Sequence, residues 1–118
     1  DISDKGTVNL EPGRYFVKLV PKANIPQNYT LKQNMPNPFN QVTTIEYGLP
    51  ASGEVTLVIY DLLGKKVRTL VNGHAEAGMH KVEWNGKDDN GSELPSGIYF
   101  YKMTTNNYSE IKKMTLLK

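Results

Sequence analysis

Two closely spaced prolines, Pro36 and Pro38, restrict the backbone conformation of residues 31–40 more than any other feature of that segment. Each proline fixes φ and removes a backbone donor, so neither a helix nor a central strand can run through the segment. The residues that precede them are biased towards extended or turn conformations. Met35 and Phe39 are nonetheless large apolar residues of the kind that cores contain. The segment therefore predicts a rigid turn that directs Met35 and Phe39 inward.

The sequence after this turn alternates between apolar and polar residues in short segments that turn-forming residues separate. Alternation with a period of two predicts half-buried strands. The predicted strands cover residues 43–49, 54–60, 66–71, 79–84, 98–103 and 108–118. Residues 54–60 are apolar on nearly both faces, which predicts a central strand, and residues 72–78 are predicted to form a loop. About seven strands without a helical period predict an all-β fold, an immunoglobulin-like antiparallel β-sandwich.

Aromatic residues and the last strand indicate where the core lies. In the last predicted strand, Met114 and Leu116 share the parity of Tyr108, whereas Ile111 breaks the pattern. This break in the alternation makes Ile111 a candidate position for a β-bulge. The aromatic residues expected to form much of the core or its margin are Trp84, Tyr99 and Tyr101.

The N-terminal quarter of the chain differs from this regular series. Residues 1–20 carry two strand patterns around a Pro-Gly turn and predict an extra N-terminal hairpin. Residues 21–28 contain two prolines and two asparagines and predict a linker. We therefore divide the chain into residues 1–28, which either end an upstream domain or add strands to this one, and the β-sandwich of residues 29–118. Because the sequence opens with Asp1, we expect a fragment or a processed product.

Charge and composition narrow the function classes. The chain has 14 basic and 12 acidic residues and a net charge of +2. This balance predicts neither a nucleic acid nor a membrane surface as the partner. No apolar run approaches the length of a membrane-spanning helix, so we expect no membrane insertion. The absence of cysteine excludes disulfides, thiolate nucleophiles and cysteine metal ligands.

The sequence offers no constellation of residues that predicts catalysis or a cofactor. His74 and His80 are the only histidines, and neither has a carboxylate at metal-ligand spacing. His80 is predicted to be a packing or surface residue. Residues 88–90 resemble part of a calcium loop, but they lack the full spacing and the closing glutamate, so a turn is favoured and calcium stays open. We expect no enzyme and no cofactor.

Tyrosines supply an alternative, because the faces of their rings can stack on sugars. Most of the tyrosines fall at positions with core parity, which favours packing over a carbohydrate platform. The candidates are Tyr15, Tyr29, Tyr47, Tyr60, Tyr99, Tyr101 and Tyr108.

A series of short motifs resembles a known family. In chain order they are LKQN at 31–34, PNPFN at 36–40, TTI at 43–45, GLP at 48–50, VIYDLLG at 58–64, VRTL at 67–70, WNGKD at 84–88, NG at 90–91, PSGIYFY at 95–101 and KKMTLLK at 112–118. Residues 31–118 resemble the type A C-terminal sorting domain of the type IX (Por) secretion system of Bacteroidetes. They are also similar to the immunoglobulin-like domain of the flagellar hook-cap protein family. Residues 1–28 lie outside the resemblance.

The resemblance implies a role for the domain. Sorting domains of this type end large exported proteins and are recognised by the outer-membrane secretion machinery, and many are removed by a sortase-like peptidase. The implied route runs through the periplasm to the cell surface or the medium, with a covalently linked upstream cargo domain and no catalysis by the module itself. The linker at residues 21–28 is the candidate cleavage site.

The closing strand is the candidate recognition element, because an exposed sheet edge can pair with a partner strand. The candidate recognition residues are Lys112, Lys113, Met114, Leu116, Leu117 and Lys118. The residues expected to define the fold are Pro36, Asn37, Pro38, Phe39, Trp84, Gly97 and Tyr99. The alternative is that this strand only closes the sheet while its lysines guard the edge.

Three further readings remain open at this point. The first is an accessory carbohydrate- or protein-binding β-sandwich module of an extracellular enzyme. The second is a structural immunoglobulin-like unit. An exposed edge also makes an oligomer formed by strand exchange between copies a candidate.

Overall fold

The computed structural model describes residues 25–118, so the predicted N-terminal hairpin lies outside the described residues. Within this range the chain forms seven strands and no helix. They are β1 (Thr30–Leu31), β2 (Thr43–Leu49), β3 (Gly53–Tyr60), β4 (Lys66–Ala75), β5 (Gly78–Trp84), β6 (Gly97–Thr105) and β7 (Tyr108–Leu116). Accordingly, no helix in the described part of the chain could cross a membrane.

The strands form two antiparallel sheets. One sheet has the order β1-β2-β5 and the other the order β4-β3-β6-β7. The chain passes between the sheets after β2, β4 and β5, which places the apolar face of each sheet against the other. The predicted central strand is confirmed, because β3 pairs with β4 on one side and with β6 on the other. The immunoglobulin-like β-sandwich is confirmed as well.

Trp84 lies at the centre of the core with none of its side chain exposed. Its ring packs at an angle against Phe39, with centroids 5.6 Å apart, and edge-on against Tyr99 at 5.5 Å. The indole Nε1 donates a hydrogen bond to the Lys87 carbonyl at 2.9 Å, so the one polar atom of the ring is satisfied. Tyr101 is also fully buried, which confirms the aromatic core that the sequence predicts.

The turn between β3 and β4 follows directly from its residues. The Asp61 side chain accepts hydrogen bonds from the backbone N–H of Leu63 and of Lys65, both at 2.9 Å. Gly64 closes the turn at φ +88°, a conformation that a side chain disfavours. This confirms the predicted hairpin.

The predicted loop at residues 72–78 is wrong, because β4 continues to Ala75 and pairs with Gly53 at its end. The register of β4 against β3 shifts twice, between Leu57 and Val58 and between Ile59 and Tyr60. Each shift inserts an extra residue and interrupts the alternation. Both extra residues lie in the part of β4 that the sequence predicts, and residues 72–75 pair with β3 without a shift. The prediction ends early because Asn72 and Gly73 are residues typical of turns.

The candidate bulge at Ile111 is also wrong. The pairing of β6 with β7 is continuous from Gly97 opposite Leu116 to Thr105 opposite Tyr108. Ile111 lies on the outer face of the sheet and is 56% exposed. An apolar residue on an outer face mimics a register break in the sequence, although none occurs.

The turn at residues 31–40 directs only one of its two apolar side chains inward. Phe39 is 2% exposed, as predicted, but Met35 is 73% exposed. Met35 exchanges both backbone hydrogen bonds with Thr44, at 2.8 and 2.9 Å, and this pairing points its side chain to solvent. Asn34 takes the inward position beside it. The peptide bonds before both prolines are cis.

Candidate functional site

The predicted recognition residues of the C-terminal strand divide into two groups. Met114 and Leu116 are fully buried and belong to the core. Lys113, Leu117 and Lys118 are exposed, and Leu117 shows 52% of its surface. A partner of the folded domain can therefore contact the second group but not the first.

Lys112 is intermediate in burial between these two groups. It is half-buried, and its Nζ lies 3.4 Å from Oε2 of Glu110. The Tyr108 hydroxyl donates a hydrogen bond to the same carboxylate, and this hydrogen bond is the main reason that the pKa of Glu110 lies below its ordinary value. The Lys112 ammonium group is thus paired with a carboxylate of its own strand.

The edge of β7 is covered by the proline-containing turn. Gln33 Nε2 donates to the Lys113 carbonyl at 2.7 Å, and Asn37 Oδ1 accepts from the Thr115 N–H at 3.0 Å. Phe39 exchanges backbone hydrogen bonds with Thr115 and Leu117, at 3.0 and 2.9 Å. We call residues 33–40 the latch. The unpaired backbone groups that would make residues 113–117 a template for strand addition are therefore already satisfied by the latch.

The far end of the latch also meets the end of the described chain. Asn40 Nδ2 donates to the Leu117 carbonyl at 3.0 Å. The Lys118 N–H donates to the Ser96 hydroxyl at 2.8 Å, and Lys118 Nζ donates to Glu93 Oε1 at 2.8 Å. The last two residues are therefore held against the body of the domain by side chains from two loops.

Inside the latch, Asn34 organises a buried hydrogen-bond network. Only 1% of Asn34 is exposed. Its Nδ2 donates to the Pro36 carbonyl at 3.1 Å and to the Thr43 hydroxyl at 2.9 Å, while its Oδ1 accepts from Gln33 Nε2 at 2.7 Å. A buried amide with all of these partners fixes the shape of the turn, because each lost partner would leave a desolvated polar group.

Tyr101 joins this network to the opposite sheet. Its hydroxyl accepts from the Asn34 N–H at 2.9 Å and donates to the Lys32 carbonyl at 2.7 Å. Burial of the ring raises the pKa of Tyr101 to about 12, so its hydroxyl remains a donor at physiological pH. The latch is thus tied to β6 as well as to β7.

The fold-defining residues act in different ways. Phe39 and Trp84 fill the core, and the Tyr99 hydroxyl donates to the Pro95 carbonyl at 2.7 Å. Pro38 is exposed, as are Pro36 and Asn37, so these residues shape the latch from outside while Asn37 bonds β7. Gly97 begins β6 opposite Leu116. Sequence reasoning missed Gln33, Asn34 and Asn40, and the only available signal was the density of amide side chains around the prolines.

The histidines and the acidic loop have local roles. His80 stacks on Tyr47 with ring centroids 5.2 Å apart, which confirms its prediction as a packing or surface residue. His74 is exposed beside Glu54 and Glu76, at 3.8 and 3.6 Å. Asp88 Oδ1 accepts from two backbone N–H groups of its own loop, each at 2.9 Å, which confirms the turn. No cluster within residues 25–118 brings together three or more side chains that could hold a metal.

The fold has counterparts among known proteins. The sequence profile of the FlgD Ig-like domain matches residues 37–109, well over half of the chain. The chain belongs to the FlgD Ig-like domain family. The match begins inside the latch and ends within β7, so residues 33–36 and the exposed C-terminal residues lie beyond it.

Curated relatives in the FlgD Ig-like domain family are parts of longer proteins. The basal-body rod modification protein FlgD of Salmonella typhimurium is 40% identical over 63 residues, which make up 53% of this chain and 27% of that protein. FlgD of Escherichia coli K12 is 35% identical over 68 residues, which make up 55% of this chain and 29% of that protein. The match therefore spans less than a third of these relatives.

Solved structures place the same fold in two settings. FlgD from P. aeruginosa aligns with a TM-score of 0.50 and 25% identity over 64% of each chain. Dimeric latent PorU from Porphyromonas gingivalis aligns with a TM-score of 0.60 and 20% identity, over 75% of this chain and 9% of that chain. PorZ, a surface component of the type-IX secretion system of the same organism, aligns with a TM-score of 0.50 and 22% identity. The alignment covers 83% of this chain and 12% of that chain. At these identities, PorU and PorZ establish the fold alone.

Asn37→Ala is expected to open the edge of β7 locally. The change removes the acceptor of the Thr115 N–H and should cost about 1 kcal/mol, the usual net value of one hydrogen bond. Hydrogen exchange at the Thr115 amide should accelerate by up to about tenfold, while exchange at the Tyr101 amide changes only with global stability. The matched control is Gln41→Ala at an exposed neighbouring position. Unaltered exchange at Thr115 would contradict this account of the latch.

Glu93 is expected to report the position of the C-terminal lysine. The hydrogen bond from Lys118 is the first reason that the pKa of Glu93 is lowered. The pair is therefore formed above the ordinary carboxyl pKa and is lost as the pH falls through the lowered value. In Lys118→Gln, an NMR titration of the Glu93 carboxyl should show its pKa moving up towards the ordinary value. Lys65→Gln is the control, and an equal shift in both variants would exclude the contact.

Proposed function

We propose that this chain is a non-catalytic C-terminal sorting module that directs a larger exported protein through the type IX secretion system to the cell surface or medium. The observation that supports the proposal most is the contact between the latch and residues 113–118. The two ends of the sequence resemblance, at residues 31–40 and 112–118, are more than seventy residues apart in the chain, yet they form one continuous surface. A sorting signal that is recognised in the folded state needs a fixed shape, and the latch holds residues 113–118 in a fixed conformation.

The surface offered to the secretion machinery combines both segments. Lys113 supplies a charge, Leu117 an apolar side chain and Lys118 a charge that is paired with Glu93. Asn37 and Pro38 lie exposed beside them. Because the latch occupies the backbone edge of residues 113–117, recognition of the folded domain would depend on side chains rather than on strand addition there. Buried Met114 and Leu116 then act by anchoring the strand.

The remaining elements of the proposal follow from the same module. The upstream cargo is covalently attached, and a sortase-like peptidase would cut in the linker at residues 21–28. The partner is the outer-membrane secretion machinery, and the route runs through the periplasm to the surface. The module itself is proposed to have no catalytic role.

A transport assay tests the proposal. The full 118-residue chain is fused behind a periplasmic signal peptide and a fluorescent reporter, in a host with a working type IX system. We expect the fusion in the medium or on the surface, and we expect it in the periplasm when the secretion system is inactivated. Retention of the folded fusion in the periplasm of the competent host, while that host exports its own cargo, would overturn the proposal.

A structural role is the second candidate, and the 40% identity to FlgD of Salmonella typhimurium favours it. A structural unit of an extracellular assembly would self-associate or sediment with filaments. Sedimentation of the reporter fusion with a purified flagellar fraction, together with unchanged location after inactivation of the type IX system, would support this candidate instead.

A further inference from the structure

The tyrosines that could have formed a carbohydrate platform have different surroundings. Tyr47, Tyr99 and Tyr101 are buried in the core. Tyr29 and Tyr108 stack on each other with ring centroids 5.1 Å apart, so each covers a face of the other. Tyr60 is different, because it is half-buried and lies on the outer face of the four-stranded sheet. Of the tyrosines among residues 25–118, it is the one placed to offer a ring to a ligand above that sheet.

Tyr60 belongs to a row that crosses the whole sheet. It lies opposite Lys66 of β4 on one side and opposite Phe100 of β6 on the other, and Phe100 in turn lies opposite Lys113 of β7. Directly paired residues project from the same face. The row therefore reads lysine, tyrosine, phenylalanine, lysine, and it spans roughly 14 Å at the usual spacing between strands.

A second row adds to the same face. Lys102 and Ile111 are cross-strand partners on β6 and β7, next to the first row. Together with Tyr60, Phe100 and Gly64, they line an open cavity of about 420 Å³ on the outer face of the sheet. Gly64, in the turn between β3 and β4, leaves one end of the cavity without a side chain. The outer face thus carries a shallow aromatic depression rather than a flat polar surface.

The charge of this face has one sign. Lys66, Lys102 and Lys113 form no ion pair with a carboxylate of residues 25–118. The carboxylate of outer-face parity on β3 is Glu54, which lies at the far end of the strand beside His74. A second copy of the chain placed face to face would oppose lysine to lysine, which is unfavourable. The charge of these lysines therefore favours an anionic ligand.

The shape of the face favours a polysaccharide over a peptide. Among the ways in which peptides are bound, strand addition needs unpaired edge groups and an amphipathic helix needs an apolar groove. Tyr60, Phe100 and Lys102 lie on β3 and β6, which are paired on both sides, so these two strands have no free backbone groups to offer. Sugar rings, by contrast, need only aromatic faces for stacking and charges for their acidic groups.

We propose that the outer face of the β4-β3-β6-β7 sheet binds an acidic polysaccharide, with Tyr60 and Phe100 stacking on sugar rings and Lys66 and Lys102 pairing with their carboxylates. Binding at this face does not require the proposed sorting role. Lys113 is shared with the C-terminal surface, so the test avoids it.

Affinity electrophoresis of the purified full chain in gels containing polygalacturonate tests this proposal. We expect retardation by polygalacturonate and none by neutral dextran. Tyr60→Ala and Phe100→Ala should each weaken the apparent affinity by about tenfold, comparable to the loss of one stacking contact. Lys66→Gln and Lys102→Gln should weaken binding and reduce its dependence on salt.

Matched controls separate the face from general charge. Tyr29→Ala changes a tyrosine that stacks on Tyr108, and Lys81→Gln removes a lysine from the other sheet. Both should bind as the parent chain does, and circular dichroism should show that every variant is folded. Poly-L-glutamate in place of polygalacturonate tests for an acidic polypeptide ligand.

Three outcomes would overturn the proposal. The first is the absence of retardation by polygalacturonate. The second is equal retardation by poly-L-glutamate with no effect of the aromatic variants, which would indicate non-specific charge attraction. The third is loss of binding in Lys81→Gln as large as in Lys102→Gln, which would place the site elsewhere.

Discussion

Trp84→Ala is expected to remove a large part of the free energy of unfolding of the domain. Trp84 is fully buried, contacts Phe39 and Tyr99, and satisfies its own Nε1 within the loop that follows β5. Truncation of a buried tryptophan costs about 3–5 kcal/mol through lost transfer energy and the cavity that remains. A domain of this size has a total stability of about 5–15 kcal/mol. Urea unfolding followed by circular dichroism measures the loss.

The matched control for Trp84→Ala is Leu63→Ala. Leu63 is 93% exposed at the tip of the turn between β3 and β4, so its truncation should change the free energy of unfolding by less than about 0.5 kcal/mol. A loss of less than about 1.5 kcal/mol for Trp84→Ala would contradict the proposed core, since even a collapsed cavity costs more.

Tyr101→Phe is expected to have the second largest effect, although it removes a single oxygen atom. The hydroxyl satisfies the Asn34 N–H and the Lys32 carbonyl, and the phenylalanine ring would still fill the core. The Asn34 N–H would be left buried without a partner, which costs about 1–3 kcal/mol, and a loss of this size is expected. Urea unfolding measures this loss too, and hydrogen exchange should show faster opening at residues 32–34 than at β3.

The control for Tyr101→Phe is Tyr60→Phe on the outer face of the sheet. That hydroxyl is at a half-buried position facing outward, so its removal should change stability by less than about 0.5 kcal/mol. Equal effects of the two substitutions would show that the tie between the latch and β6 contributes nothing to stability.

The sheets could be predicted from the sequence because each strand carries its own signal. β2, β3, β5 and β6 alternate or are uniformly apolar, and turn residues mark their ends. The turn at Asp61 and Gly64 could be predicted for the same reason, since its side-chain hydrogen bonds span four residues. Local patterns of this kind are sufficient for the all-β class and for the central position of β3.

The latch could not be predicted, because its partners are distant in the chain. Asn37 meets Thr115 and Gln33 meets Lys113, and no alternation within either segment indicates these pairs. Sequence alone favours Met35 over Asn34 as the inward residue, since burial of an amide is favourable only when tertiary partners satisfy it. The division of the C-terminal residues into buried anchors and exposed side chains depends on the same contacts.

One comparison tests most directly whether the exposed C-terminal surface is an address. In the reporter fusion with the full chain, Lys113→Ser, Leu117→Ser and Lys118→Ser are combined, which leaves buried Met114 and Leu116 in place. The control combines Leu62→Ser, Lys65→Ser and Lys81→Ser, which change the same residue types at exposed positions elsewhere. With both proteins folded, we predict that the secreted fraction of the first falls by about tenfold, as expected when about 1.4 kcal/mol of recognition is lost. Secretion of the first variant at the level of the control would contradict the account.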